Sequence, residues 1–182
     1  MTAGLPKLSN NIRGVAKNLL IGLLVTAFAL SVSMTSAYAP SGAALSLSFD
    51  SSQAKNDLLT LTNEARSRYG LASLILDPRL AEIAQWRSED MVERGYFSHF
   101  IPPGNNILAD VLSDKGVEYI SAGENLAEFS FTPDLVSKIQ DGFMASSEHR
   151  KNILNPNYNA IGIGAAQTSD GQEIFTVIFM WK

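Results

Sequence analysis

Apolar side chains recur at helical spacing soon after residue 53. This pattern predicts a first helix over residues 53–69, with Ser52 as its N-cap and Gly70 ending it. Its predicted apolar face consists of Leu58, Leu61, Ala65 and Tyr69.

A second helix begins at Asp77-Pro78, where an aspartate can cap the helix and proline is favoured at the first helical position. Gly95 is predicted to end it. Shorter helices are predicted over 106–114 and 133–145, with a loop over 100–105 between the second and third helices. The apolar face of the second helix is predicted to contain Leu80, Ile83, Ala84, Trp86 and Met91.

The last part of the chain changes from helical to strand-like patterning. Residues 160–166 and 174–181 are apolar runs separated by Ser169-Asp170-Gly171, and Asp-Gly between two such runs is a strong hairpin signal. Helices followed by an antiparallel sheet predict an α+β protein with three layers. The side chains of Phe175, Phe179 and Trp181 are expected to be buried in that sheet.

Residues 1–39 are typical of a secretory signal. Three basic residues and no acid precede an apolar stretch over 19–32, and the segment ends in Ala37-Tyr38-Ala39. The apolar stretch is about 14 residues long, whereas a membrane span needs about 20. Pro40 is a poor residue directly after a cleavage point, so an uncleaved N-terminal anchor is the alternative. Residues 40–53 are predicted to be a flexible linker and residues 54–182 the domain. Whether the leader is cleaved or remains as an anchor, the domain is expected outside the cytoplasm.

Charge and cysteine content disfavour several functions. Without its leader the chain has 11 Lys and Arg against 18 Asp and Glu, a formal charge of −7, which is unsuited to nucleic acid or an anionic membrane surface. The absence of cysteine excludes disulfides, thiolate metal sites and cysteine nucleophiles. It also suits a secreted protein of bacterial type better than a small disulfide-stapled one.

The two histidines of the chain, His99 and His149, are the candidates for chemistry, with Gly123-Glu124-Asn125 midway between them. Imidazole transfers protons near neutral pH and binds transition metals. Structural alternatives remain open: His99 can cap the second helix, Glu124 can be a buried acceptor and His149 can anchor its own segment. Serines 98, 146 and 147 adjoin the histidines without a Gly-x-Ser-x-Gly elbow, which disfavours a serine hydrolase.

A series of motifs resembles the CAP superfamily, which comprises cysteine-rich secretory, antigen 5 and pathogenesis-related proteins, and whose domain is also called SCP. The similarity covers about Lys55 to Lys182 and is greatest to the cysteine-free bacterial branch. The motifs are Thr62-Asn63-Glu64-Ala65-Arg66, Ser98-His99, Gly123-Glu124-Asn125, residues 146–154 and Ile161-Gly162-Ile163-Gly164.

The resemblance implies an α-β-α sandwich with a central antiparallel sheet and a cleft lined by two histidines and two glutamates. His99 and His149 match the two histidines, and Glu124 matches the glutamate of the Gly-Glu-Asn motif. Ser146 stands where the second glutamate is expected, and Glu148 stands nearby where glycine is usual. The chain therefore has three of the four cleft residues.

His99, Glu124 and His149 are a possible ligand set for zinc or another divalent metal, with a fourth position for water, and no organic cofactor is expected. Without metal they can act as an acid/base pair. Asn63 and Arg66 are expected either to line the cleft with Ser146 and Glu148 or to bind the first helix to a loop. Tyr96, Phe97 and Phe100 are expected in the core, with a lipid groove as the alternative.

Three functions follow from this pattern. The first is a secreted or surface-anchored binding module for a divalent metal or a small apolar, lipid or glycan ligand. The second is a hydrolase, metal-assisted or metal-free, that uses the two histidines and Glu124. The third is an extracellular scaffold with a vestigial cleft. The domain is expected to be monomeric, to bind no nucleic acid, and to meet a membrane only through residues 1–39.

Overall fold

The computed structural model describes residues 49–182. The predictions for residues 1–39, and for the linker up to residue 48, lie outside the described residues. In order, the elements are α1 (Ser51–Arg68), β1 (Ile75–Leu76), α2 (Pro78–Arg94), α3 (Leu108–Asp114), β2 (Ser121–Ser130), α4 (Leu135–Ala145), α5 (Ser147–Ile153), β3 (Ala160–Gln167) and β4 (Gln172–Trp181).

Helix α1 begins two residues earlier than its apolar pattern predicts. Its N-cap is Asp50, whose carboxylate accepts hydrogen bonds from the backbone N–H groups of Ser52 and Gln53 at 3.0 and 3.1 Å. The prediction of Ser52 as the cap is therefore wrong, because the carboxylate two residues before it already satisfies these free N–H groups. Residues 51–53 of the predicted linker belong to the helix.

Helix α2 has both of its predicted ends. Asp77 accepts from the backbone N–H groups of Arg79 and Leu80, and Gly95 ends the helix with a left-handed φ of 66°. Trp86, assigned from the sequence to the apolar face, is 38% exposed, so this part of the prediction is wrong. It lies toward the edge of the apolar stripe, where a helix leaves the surface on which it packs.

The sheet has the strand order β1-β3-β4-β2. Strands β3 and β4 form the predicted hairpin, and β2 pairs antiparallel with β4 from Ser121 opposite Trp181 to Ser130 opposite Gln172. The sheet is nevertheless mixed, because the two-residue strand β1 pairs parallel with β3. So short a strand has no sequence periodicity from which it could be predicted. One long edge of β2 lies at the end of the sheet.

Helices cover both faces of this sheet, which confirms the three-layer α-β-α sandwich. Helices α2 and α3 pack on one face, against residues that include Ile178 and Met180. Helices α1, α4 and α5 pack on the other, against residues that include Phe175 and Phe179. Trp181, at the end of β4, is 37% exposed and lies outside the core in which it was expected. No helix in residues 49–182 is both long and apolar enough to cross a membrane.

Two glycines of β3 bring α2 into direct backbone contact with the sheet. A Cβ atom on Gly162 would lie 2.2 Å from the carbonyl carbon of Leu80, and one on Gly164 would lie 2.1 Å from the carbonyl oxygen of Ala84. Only glycine permits this approach. The close packing fixes the position of α2 relative to the sheet, and α2 carries part of the site described next.

Candidate functional site

Glu124 is the centre of a buried polar cluster. It lies on β2 with its side chain 5% exposed, and its Oε2 is 2.7 Å from Nδ1 of His99. Its other oxygen, Oε1, accepts from Nε of Arg87 at 3.2 Å. Both carboxylate oxygens are therefore engaged by protein side chains. Because a carboxylate accepts, Nδ1 of His99 acts as the donor, which directs Nε2 away from Glu124.

Arg87, which sequence reasoning did not single out, supports this carboxylate from α2. Its side chain is fully buried, and besides Glu124 it donates to the hydroxyl of Tyr96 at 2.6 Å and to the carbonyl of Ser98 at 2.9 Å. The Tyr96 hydroxyl in turn donates to Asp90. The sequence does carry a signal for Arg87: a cation on the apolar face of the second helix, where a buried charge needs a partner.

His99 does not cap α2, which was one reading of the sequence. The helix ends at Arg94 with Gly95 as its C-cap, and His99 lies beyond it with a 51% exposed side chain bonded to Glu124. The bond between the Arg87 guanidinium and the Ser98 carbonyl fixes the backbone directly before His99. His99 is thus held at two points: its ring is bonded to Glu124, and the backbone before it is bonded to Arg87.

His149 comes from the opposite layer, on α5. Ser146 is the N-cap of this helix and its hydroxyl accepts from the backbone N–H of His149 at 3.5 Å. The His149 carbonyl accepts from Nδ2 of Asn125 at 3.1 Å, and its ring meets the ring of Phe143 edge-on with centroids 5.1 Å apart. Ser146 therefore orients the helix that carries His149 and does not replace the missing glutamate.

Burial lowers the pKa of His149 below its usual 6.5, and the nearby charge of His99 lowers this pKa further. The exposed carboxylate of Glu148 acts in the opposite direction as the smallest of the three effects. His149 is neutral at pH 7, in the form that accepts a hydrogen bond through one ring nitrogen.

Each residue of Gly123-Glu124-Asn125 has a separate structural role. A Cβ atom on Gly123 would lie 2.6 Å from Oδ1 of Asn152 and 2.9 Å from the Tyr158 hydroxyl, so a larger residue would displace these side chains. Nδ2 of Asn152 donates to Oδ1 of Asn125 at 2.8 Å and to the carbonyl of Glu124 at 3.2 Å. This motif joins the helix that carries His149 to the strand that carries Glu124.

Asn63 and Arg66 have the alternative role that the sequence left open, and they do not reach the histidines. Nδ2 of Asn63 donates to the carbonyl of Leu74 at 3.1 Å, and Oδ1 of Asn63 accepts from the N–H of Leu74 at 2.8 Å. The buried guanidinium of Arg66 donates to four backbone carbonyls, those of Ala72, Ile153, Asn155 and Tyr158. Both side chains bind α1 to loops, because those loops leave carbonyls without helix or sheet partners.

Two cavities follow one another along β2. The α3-side cavity has a volume of about 300 Å³ and is lined by His99, Ile107, Leu108, Ala109, Tyr119, Ala122, Gly123 and Glu124. The α4-side cavity has a volume of about 280 Å³ and is lined by Phe97, Leu126, Ala127, Glu128, Phe129, Ile139, Gly142, Phe143, Ser146 and His149. We call the two cavities, with the imidazoles that border them, the cleft.

Two aromatic residues expected in the core lie at the surface instead. Phe97 is 43% exposed and borders the α4-side cavity, and Phe100 is 57% exposed. Both follow Gly95, where the chain leaves α2 and no longer has a helix to direct it inward. A larger cavity of about 480 Å³, bordered by α1 and α4 residues such as Leu61 and Met144, contains neither histidine nor Glu124.

The prediction that His99, Glu124 and His149 bind a metal has no support from the clustering of side chains. Within residues 49–182, no group of three or more His, Asp or Glu side chains lies so that it could hold a metal ion. In the structure Glu124 holds Arg87 and His99 with its two oxygens. The carboxylate acts as the partner that orients a histidine. Histidines that bind metals and histidines that act as catalytic bases both commonly have such a partner.

The serines beside the histidines are occupied by local backbone bonds. Oγ of Ser98 accepts from the N–H of Phe100 at 3.0 Å, and Oγ of Ser146 caps α5. Neither hydroxyl bonds to an imidazole nitrogen among the hydrogen bonds of residues 49–182. The arrangement therefore lacks the nucleophile-to-base contact of a serine hydrolase.

Comparison with known proteins finds two similar proteins of Bacillus subtilis. The chain is 38% identical over 125 residues to YkwD of Bacillus subtilis, covering 69% of this chain and 46% of YkwD. It is 39% identical over 111 residues to YlbC of the same organism, named as a membrane protein, covering 60% of this chain and 31% of YlbC. The chain thus spans less than half the length of either relative.

A solved structure of similar fold is an extracellular protein containing an SCP domain from Bacillus anthracis. It superposes with a TM-score of 0.61 at 34% identity, covering 72% of this chain and 41% of that one. The family model described as the cysteine-rich secretory protein family, CAP, matches residues 59–179, which include His99, Glu124 and His149. This chain therefore belongs to the CAP family, in a form without cysteine.

Proposed function

We propose that this chain is a secreted or surface-anchored CAP protein whose cleft binds a small ligand between His99 and His149. The observation that carries the proposal is the bond from Nδ1 of His99 to Glu124, a carboxylate that the buried Arg87 holds in place. This arrangement fixes one imidazole with its Nε2 available at the α3-side cavity, while the second imidazole, which is neutral, borders the α4-side cavity. A rigid pair of polar groups bordering apolar cavities is typical of a ligand site.

Binding accounts for these features better than hydrolysis does. The serines near the histidines are used in a turn and in a helix cap, so the reaction would require an external water as its nucleophile. The His99–Glu124 pair does favour hydrolysis as a second candidate, because a histidine oriented by a carboxylate can take a proton from that water. Turnover of ester or peptide substrates that His99→Ala abolishes would support this second candidate.

A divalent metal such as zinc is one candidate ligand. The cleft offers it two imidazoles, and among residues 49–182 no third protein ligand joins them. Catalytic zinc sites use three protein ligands, so we expect weaker binding than in such sites. A small organic molecule that accepts from one imidazole and donates to the other needs no further protein group.

The proposed location outside the cytoplasm is supported by two observations. Residues 1–39 have the pattern of a secretory signal, and the similar Bacillus anthracis structure is named as an extracellular protein. The relative YlbC is named as a membrane protein, which is in keeping with the anchored alternative.

Thermal unfolding tests the proposal, because a ligand that binds the native state must raise the melting temperature. We would measure the exported chain with Zn²⁺ and with a panel of small carboxylic acids, amides, sugars and fatty acids. We expect at least one compound to raise the melting temperature of the wild type and not that of His99→Ala or His149→Ala.

The matched control is Glu82→Gln, which removes an exposed carboxylate from α2 outside the cleft and should respond as the wild type does. If every compound acts equally on the wild type and on both histidine variants, the cleft is not the binding site and the proposal is wrong.

A further inference from the structure

We infer that the cleft takes an extended peptide, which pairs its backbone with the open edge of β2 and places apolar side chains in the two cavities. This inference rests on the proposed function and names the class of its ligand. The observations behind it are the orientation of the β2 backbone, the spacing of the cavities and the charge along the groove.

Alternate backbone groups of β2 point away from the sheet. The N–H of Thr168 donates to the carbonyl of Gln172 at 2.8 Å, which marks the even-numbered residues of β4 as those bonded to β3. The odd-numbered residues of β4 therefore bond to β2, to partners such as Asn125 opposite Val177. It follows that the N–H and carbonyl groups of the even-numbered β2 residues face the open edge.

The Glu124 carbonyl agrees with this orientation, since it accepts from the side chain of Asn152 outside the ladder. The backbone groups of Ala122, Leu126 and Glu128 face the same edge, and no backbone group elsewhere in residues 49–182 bonds to them. An open edge of this kind is a template for another strand. A peptide in the cleft can pair with Ala122, Leu126 and Glu128, whereas the Glu124 carbonyl between them is already bonded to Asn152.

The two cavities match the repeat of an extended peptide. The α3-side cavity meets β2 at Ala122–Glu124 and the α4-side cavity meets it at Leu126–Phe129. Their centres are between four and five residues apart along the strand, or about 15 Å at 3.3 Å per residue. Because α3 and α4 pack on opposite faces of the sheet, the two cavities lie on opposite faces. In an extended peptide, side chains five positions apart point to opposite faces. One can enter beside Ile107 and Tyr119 and the other between Phe97 and Phe143.

Charge indicates a cationic peptide and argues against a second copy of this chain. The exposed carboxylate of Glu128 borders the α4-side cavity, Glu148 is exposed next to His149, and residues 40–182 carry a formal charge of −7. Two copies joined through β2 would bring their net negative charges together. A lysine between the two apolar residues of a peptide would complement Glu128.

Fluorescence anisotropy tests the inference on the exported chain. The probe is a fluorescein-labelled mixture of peptides Gly-Xaa-Ser-Lys-Ser-Ser-Xaa-Gly, in which Xaa is Leu, Ile, Val or Phe and the two Xaa residues are five positions apart. We expect saturable binding that Gly142→Leu weakens at least about tenfold, because the new side chain fills the α4-side cavity. Ser137→Leu, on the same helix but bordering the cavity between α1 and α4, should bind as the wild type does.

Backbone pairing is tested by N-methylating alternate amides of the strongest-binding peptide. Methylation in one register should abolish binding, whereas methylation of the other amides, which face away from β2, should leave it unchanged. Glu128→Gln should weaken binding about two- to fivefold, as expected for an exposed ion pair.

Equal effects of both methylation registers, or no binding of the peptide mixture, would overturn the peptide inference. Dimerisation of the wild type that Gly142→Leu prevents would overturn it in favour of a second copy. If small compounds still raise the melting temperature through the two histidines, the proposed function stands while the peptide inference fails. If neither small compounds nor peptides bind, both are wrong.

Discussion

At the scale of single residues, Glu124 determines how the site is organised. A carboxylate this deeply buried needs a partner of opposite charge, and Arg87 provides one at 3.2 Å. With that partner in place, its second oxygen is free to hold His99. Among residues 49–182 no carboxylate is bonded to the His149 ring, which lies against Phe143, and the adjacent Glu148 is exposed. The two histidines are therefore chemically different.

This difference predicts the titration of His149. Its pKa should lie below 6.5, because burial disfavours the charged ring and the charge of His99 adds to that effect. In His99→Ala the pKa of His149 should rise yet stay below 6.5, since burial is the larger cause. NMR titration of the ring protons measures it, and the variant has one histidine left to assign. An unchanged pKa would show that the two rings do not interact.

At the scale of elements, glycine positions decide how closely helices approach the sheet. Gly123 allows Asn152 of α5 to reach β2, and Gly162 and Gly164 allow the backbone of α2 to lie on β3. These approaches set the distance between α2 and β2, and therefore between Arg87 and Glu124. A β-strand with glycine at two alternate positions loses packing of its own side chains, and here the helix backbone fills that space.

Gly164→Ala should destabilise the fold, because the new methyl group would lie 2.1 Å from the carbonyl oxygen of Ala84. Overpacking of this kind costs about 1–3 kcal/mol. Urea unfolding measures the loss. The control is Gly142→Ala on α4, whose Cβ would meet its nearest neighbour at 4.0 Å and should add about 1 kcal/mol through helix propensity. A Gly164→Ala variant as stable as the wild type would contradict the close packing.

At the scale of the whole molecule, the sandwich buries one carboxyl without a full set of partners. Glu173 on β4 is completely buried, and its Oε2 has no hydrogen-bond partner among the described residues. Burial raises the pKa of Glu173 to about 7, and the hydrogen bond from Gln167 opposes this shift. The folded state therefore holds this proton to a higher pH than the unfolded state does.

The shift in Glu173 makes its contribution to stability depend on pH. Because the pKa rises from 4.5 to about 7 on folding, the contribution is complete below pH 4.5 and is lost as the pH rises through 7. At about 1.4 kcal/mol per pKa unit, the loss between pH 5 and pH 8 is about 2–3 kcal/mol. The side chain in Glu173→Gln cannot titrate. From pH 5 to pH 8 the free energy of unfolding of this variant should therefore rise by that amount relative to the wild type.

Chemical unfolding of both proteins at pH 5 and pH 8 measures this difference. Comparing the two proteins cancels the contributions of the other titrating groups. One of these is His149, whose lowered pKa makes the folded state more stable as the pH rises, opposite to the effect of Glu173. A difference between the two proteins that is independent of pH would mean that Glu173 is not buried as described.

Most of the elements could be predicted from the sequence because their signals are local. Asp77-Pro78 and Gly95 mark the ends of α2, and Asp170-Gly171 marks the β3–β4 turn, each within a few residues of the structure it determines. Helix α5 was missed because its seven residues, SEHRKNI, are mostly polar and show no apolar period. The N-cap of α1 was misassigned because Asp50 and Ser52 are both good caps and the pattern does not choose between them.

The candidate site was only partly predictable. The motifs identified His99, Glu124 and His149, and the resemblance to the CAP family indicated that they lie near one another. The partners of each residue were not predictable: Arg87 is 37 positions from Glu124 along the chain and His99 is 25 from it. For Asn63 and Arg66 the sequence left open whether they line the cleft or bind α1 to a loop, because helical spacing gives the face of a helix and not what that face contacts.

The sequence by itself determined where most of the helices and the hairpin form, the family of the chain and which side chains could do chemistry. These follow from interactions between residues close in sequence and from the order of the motifs. Only the tertiary structure decided that Glu124 holds Arg87 and His99, that the cavities follow the open edge of β2 and that Glu173 is buried without a full set of partners. The reason is that the partner and environment of a buried charge depend on packing between distant segments, which no local pattern encodes.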